Sequence, residues 1–148
     1  MSIVDRHGNA VSMTTTIENG FGSLQMVRGF LLNNEMTDFS FTDKDADGSL
    51  VANRVQPLKR PRSSMAPTFV LNDKTGDMEA IIGSPGGSAI IQYTAKTIIG
   101  LVDWNLNIQQ AINLPNFGAQ TNATTSIEKG SVIDNDVLRN ALAARGHT

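Results

Sequence analysis

The stretch Gly83-Ser84-Pro85-Gly86-Gly87-Ser88 does most to limit how this chain can fold. Ahead of it, Met78-Glu79-Ala80-Ile81-Ile82 reads as a short buried strand. Behind it, Ala89 to Val102 carries Ile90, Ile91, Ala95, Ile98, Ile99 and Val102 at helical spacing. A strand that enters a helix through proline and paired glycines leaves backbone N–H groups unpaired at the helix start. Those donors, with the positive end of the helix dipole, suit an oxyanion or a phosphate. The plainer alternative is a tight turn in which glycine supplies positive φ and nothing binds. No lysine follows the glycines, which disfavours a nucleotide P-loop.

Around this centre the chain reads as strands, then loops, then a strand pair, then helices. Ser2 to Val4 and Ala10 to Ile17 are β-rich runs joined by the turn Asp5-Arg6-His7-Gly8-Asn9, which makes His7 a solvated turn residue. Phe30-Leu31-Leu32 leads into Asn33-Asn34-Glu35-Met36-Thr37-Asp38-Phe39, where acidic groups lie close to aromatic anchors. The polar run Thr42 to Val55 contains Asp43-Lys44-Asp45-Ala46-Asp47-Gly48, the opening of a calcium-loop pattern. Its closing position is Arg54 rather than Glu, so calcium binding is not expected. Lys59-Arg60-Pro61-Arg62-Ser63-Ser64-Met65 is a basic turn with two hydroxyls. Thr68 to Leu71 pairs with Met78 to Ile82 across Asn72 to Asp77. Asn107 caps a short helix that stops at Leu114-Pro115-Asn116-Phe117-Gly118. Thr125 to Glu128 is extended, and Asp134 to Ala144 is a last helix ended by Gly146. This order predicts a layered α+β arrangement with no internal boundary.

Composition removes several functions. The 148 residues are enough for one domain with a core, and a net charge of −2 offers no electrostatic case for nucleic acid or an anionic membrane. No apolar run approaches the ~20 residues that a spanning helix needs. With no cysteine and two histidines, thiolate metal sites and a Ser-His-Asp triad are hard to build. Met1-Ser2-Ile3-Val4 already looks like a strand rather than a signal peptide. Domains seldom open inside a strand, so further residues upstream are expected.

Taken together, Ser2-Ile3-Val4-Asp5, Thr14-Thr15-Thr16-Ile17, Phe21-Gly22-Ser23, Leu31 to Phe39, Lys59 to Met65, Gly83 to Ser88 and Leu114 to Phe117 resemble, in order and spacing, the small catalytic subunit of the gamma-glutamyltranspeptidases. These are N-terminal nucleophile hydrolases. The resemblance covers nearly all of residues 1–148 and implies a partial small-subunit domain, an incomplete αββα four-layer sandwich. It implies backbone donors at Gly86 and Gly87 for a tetrahedral oxyanion. Ser63 and Ser64 would bind a substrate α-carboxylate, Glu35 and Asp38 its α-ammonium, and Thr16 would orient the nucleophile. It implies a γ-glutamyl substrate such as glutathione, a Thr acyl-enzyme, self-cleavage of a precursor, a large-subunit partner, and neither cofactor nor metal. If bacterial members are followed, the compartment is periplasmic or extracellular.

Three departures matter. Glu18 stands where most members carry Asn, and it would add a third carboxylate to the ammonium site. The loop between Phe39 and Leu58 is short and has no Tyr, which implies an open site tolerant of bulkier γ-glutamyl or glutaryl compounds. The family's nucleophilic Thr would precede the Ser2-Ile3-Val4-Asp5 segment and lie upstream of Met1. Ser2 itself falls four positions too late, roughly 13 Å along a strand. Final strands beyond Thr148 are expected as well. The reading is therefore a γ-glutamyl transferase or hydrolase fragment, inactive by itself. A cephalosporin or glutaryl acylase is the close alternative, and a non-catalytic, self-associating domain the distant one. Unpaired strand edges and a helix that loses part of its cover predict a homo-oligomer.

Overall fold

The computed structural model describes residues 1–119 and 124–148, which form a mixed α+β structure of hairpins and helices. In chain order these are β1 (Ser2–Val4), β2 (Ala10–Ser12), β3 (Met26–Val27), β4 (Phe30–Leu31), β5 (Thr68–Leu71), β6 (Met78–Ile82), α1 (Ile90–Val102), α2 (Ile108–Asn113), β7 (Phe117–Ala119), β8 (Thr125–Ile127) and α3 (Asp136–Ala143). Short 3-10 turns occupy Glu35–Asp38 and Gly87–Ala89. The strands pair as antiparallel hairpins: β1 with β2, β3 with β4, β5 with β6, and β7 with β8. Two compact units emerge. One contains Met1–Thr14 and Ser64–Thr148, and the other Thr15–Ser63.

Turn chemistry explains the hairpins. The Asp5 carboxylate accepts N–H groups of His7 and Asn9 at 2.8 and 2.9 Å, and Gly8 takes a φ of 84°. These bonds hold the Asp5 pKa below its usual value, the side-chain amide of Asn9 contributing most. Asn72 does similar work between β5 and β6, accepting from Lys74 and Thr75. The β3–β4 hairpin turns on Arg28 and Gly29, both at positive φ, the conformation that a two-residue turn demands. By sequence alone Phe30-Leu31-Leu32 reads as a short apolar run rather than half of a hairpin, because Arg28 is an uncommon choice for that turn position. The expected strand Ala10 to Ile17 ends at Ser12. The β7 strand falls where only a helix stop was foreseen.

The helix α1 is only partly covered. α1 occupies the expected stretch, and part of its apolar stripe faces outward: Ile91, Ile99 and Val102 are 55%, 41% and 63% exposed, while Ile90 is buried. The face turned inward carries Ile90, Thr94, Lys96, Thr97 and Gly100. Close approach selects that face. A Cβ on Gly100 would lie 2.9 Å from the Ala111 Cβ of α2, so α1 meets α2 where it has no side chain. The buried polar groups are largely satisfied. Thr97 donates to the Tyr93 carbonyl at 2.9 Å, and Lys96 Nζ donates to Leu114 O at 2.6 Å and Asn116 Oδ1 at 3.0 Å. Lys96 thereby ties α1 to the chain leaving α2, and its burial lowers its pKa against the opposing pull of Glu128. Asn107 caps α2 through a reciprocal box with Gln110, as its sequence position predicts.

Candidate active site

The glycine turn is built from backbone. Gly86 has a φ of 139° and Gly87 a φ of 55°, conformations that side-chain-bearing residues resist. The chain thus leaves β6, reverses at Gly86 and enters a 3-10 turn that leads directly into α1. A Cβ on Gly86 would stand 2.8 Å from Cε2 of Tyr93, so the ring of α1 packs directly on the turn. Ala89 N–H bonds back to Gly86 O at 3.0 Å. The N–H groups of Gly86 and Gly87 have no acceptor among the described residues, and both glycines are exposed. Two free donors at the positive end of a helix can stabilise an oxyanion that develops beside them. Ser2 Oγ and Ser12 Oγ reach the carbonyls of Ile81 and Ile82, which seats the β1–β2 hairpin against the strand feeding this turn.

The acids are gathered by side chains, in the other unit. Asn34 is the hub. Its amide donates to the Glu18 carboxylate and, at 3.0 Å, to Thr37 Oγ1, while its carbonyl oxygen accepts the Asn19 N–H at 3.1 Å. Thr16 Oγ1 accepts the Glu18 N–H at 2.9 Å, holding Glu18 at a φ of 74°. Glu35 and Asp38 open and close one 3-10 turn. Partial burial raises the Glu35 pKa, with the charge of Asp38, a side-chain hydrogen bond to Asp38 and the charge of Glu18 adding to it. Three carboxylates thus converge with no cation paired to them among the described residues. Such a cluster attracts an ammonium group, whose three donors and charge relieve the repulsion.

Of the residues singled out from sequence, Thr16, Glu18, Glu35 and Asp38 come together within the unit 15–63. Ser63 is the last residue of that unit; Ser64, half-buried, begins the second stretch of the other, which also holds Gly86 and Gly87. Asn34, which joins strand and acids, was not foreseen as a site residue. Its doubling with Asn33 before an acidic turn was the available signal. Elsewhere, Asp47 accepts the N–H of Ser49 in its own loop. Asp43, Asp45 and Asp47 do not gather into a metal-holding group among the described residues.

The family model for gamma-glutamyltranspeptidase matches residues 1–148. This chain belongs to that family. A glutathione hydrolase proenzyme of Bacillus subtilis is 40% identical over 148 residues, covering 99% of this chain and 23% of the relative. One from a Pseudomonas species is 42% identical over 127 residues, covering 80% of this chain and 21% of the relative. Among solved structures, a gamma-glutamyltranspeptidase of Helicobacter pylori superposes with a TM-score of 0.86 at 39% identity, covering 100% of this chain and 81% of that one. This chain therefore has the N-terminal nucleophile hydrolase type of α+β fold. It spans between a fifth and a quarter of the length of these proenzymes.

Proposed function

We propose that these residues form the oxyanion-stabilising and substrate-head-binding part of an acyl transferase or hydrolase acting on γ-glutamyl amides such as glutathione. The observation that carries this reading is the convergence of Glu18, Glu35 and Asp38, whose charges add to the effect of burial in raising the Glu35 pKa. A γ-glutamyl group bears an α-ammonium that three carboxylates would hold, whereas a glutaryl group bears none. This favours γ-glutamyl amides over the glutaryl or cephalosporin alternative. Ser63 and Ser64 would take the α-carboxylate, and Gly86 and Gly87 the oxyanion. Thr16 would orient a nucleophilic Thr and its α-amine, supplied from outside these 148 residues and acting through an acyl-enzyme. A large subunit would complete the substrate site, in a periplasmic or extracellular setting.

Binding of L-γ-glutamyl anilide and glutaryl anilide to the chain tests the reading. The γ-glutamyl compound should bind at least about tenfold more tightly, the worth of one charge-assisted hydrogen bond. Glu35→Gln with Asp38→Asn should erase the difference, and equal binding to the unaltered chain would overturn the assignment. The 148 residues by themselves should release no aniline. Release that survives Ser2→Ala would show that another hydroxyl of this chain is the nucleophile. The outward stripe of α1 and the free edges of the hairpins also support self-association, readable as a concentration-dependent sedimentation coefficient. A monomer throughout the micromolar range would refute that part.

A further inference from the structure

The unit that holds the glycine turn carries a second concave surface. A cleft of about 350 Å³ lies between the first turn of α1 and the β7–β8 hairpin, walled by Tyr93, Phe117, Gln92, Asn116 and Glu128. We infer that this cleft binds a small organic cation, an ammonium or guanidinium group carried on an apolar body.

Its polar atoms divide unevenly. The Gln92 amide N–H is spent on Ala119 O at 3.0 Å, while Gln92 Oε1 is buried and has no donor among the described residues. A buried acceptor without a partner costs roughly 1–3 kcal/mol, and this oxygen lies beneath the surface of the cleft wall. Glu128 accepts the Asn116 N–H through Oε2 at 2.8 Å, and its other oxygen has no protein donor among the described residues. No cation lies within ion-pair distance of Glu128 among those residues. Lys96, whose charge Glu128 feels, donates its hydrogen bonds to Leu114 O, Ile112 O and Asn116 Oδ1 instead. Tyr93 and Phe117 add aromatic walls, and a cation over such rings gains about 0.5–2 kcal/mol. A carboxylate with one oxygen free of protein donors among the described residues and two aromatic rings complement a hydrogen-bond-donating cation, and an anion would meet Glu128.

The cleft also touches the turn. Tyr93, which lines it, is the residue whose ring packs on Gly86. A ligand there should be sensed at the Gly86 N–H with no access to the oxyanion position.

Amide NMR of the whole chain at neutral pH, titrated with benzylammonium and separately with benzyl alcohol, tests the inference. Benzylammonium should saturate within the low-millimolar range, shifting the Gln92 side-chain amide and the Asn116 to Gly118 amides, with a smaller shift at Gly86. The neutral alcohol, similar in shape, should bind at least about tenfold more weakly. Glu128→Gln keeps an oxygen for the Asn116 N–H while removing the charge. It should weaken benzylammonium about tenfold and leave the alcohol unchanged. Equal affinity for the two probes, or no saturation by about 20 mM, would overturn the inference without recourse to any variant. Because anilide preference is read at the carboxylate cluster of the other unit, failure here leaves the γ-glutamyl reading standing.

Discussion

The glycine turn at Gly86-Gly87 and the carboxylate cluster at Glu18, Glu35 and Asp38 solve opposite electrostatic problems by different means. The first offers positive partial charge from the backbone alone; the second offers negative charge from side chains that repel one another. Both need backbone at positive φ, Gly86 at 139° and Glu18 at 74°. Glycine adopts such angles freely. Glutamate does so at a cost, offset here by the Thr16 hydroxyl on its N–H and the Asn34 amide on its carboxylate. A backbone site is therefore insensitive to pH and intolerant of added atoms. A side-chain site behaves in the opposite way.

The largest test of that contrast is Gly86→Ala. The new methyl would collide with Tyr93 and hold a φ that alanine resists, so chemical denaturation should show a loss of about 2–4 kcal/mol. Adding Tyr93→Ala should remove the collision but not the backbone strain. If the double variant is no more stable than Gly86→Ala, the ring is not what makes the turn intolerant.

Next is Lys96→Met, which leaves Leu114 O and Asn116 Oδ1 without their shared donor behind the turn. The expected cost is about 1–3 kcal/mol, with α2 losing hydrogen-exchange protection before α1. Unchanged protection of α2 would show that the lysine does not tie the two helices together.

The cluster should respond the other way. Glu18→Asn places at φ 74° a residue that accepts this region more readily, and it deletes one of three like charges. Stability at neutral pH should rise by up to about 1 kcal/mol, and a clear loss would mean that the Asn34 contact outweighs the strain.

The smallest effect is the pH response of Glu35. Its folded pKa is raised above its ordinary value of 4.5, so the native state holds this proton more tightly than the unfolded chain does. Its contribution to stability is complete below 4.5 and is lost as pH rises through the raised folded value. Glu35→Gln should flatten that slope and raise stability at neutral pH by less than about 1 kcal/mol, because solvent screens the cluster. An identical slope in the variant would place Glu35 in free solvent.

Local chemistry made much of this legible before any coordinates. Asp5 and Asn72 terminate strands by bonding their own turns, Asn107 caps α2, and the glycine pair must reverse the chain; each rests on neighbours within a few residues. The family resemblance named the acids, and the structure brings Glu18, Glu35 and Asp38 together around Asn34. What escaped was decided at longer range. The spacing of Ile91, Ala95, Ile99 and Val102 correctly makes a helix, but nothing in that spacing says which face is covered.

Residue order alone determined where the backbone turns and where helices start, because positive φ, caps and side-chain-to-backbone bonds act over a few positions. Tertiary structure decided the rest. It turned α1 so that Gly100 meets Ala111 and Lys96 finds three oxygen acceptors, leaving Ile91 and Ile99 outside. It also bonded Glu18 to Asn34, 16 positions on, and brought the Glu18 and Glu35 charges within reach of each other. Close packing and charge proximity depend on distances in space, and a linear spacing of residue types does not contain them.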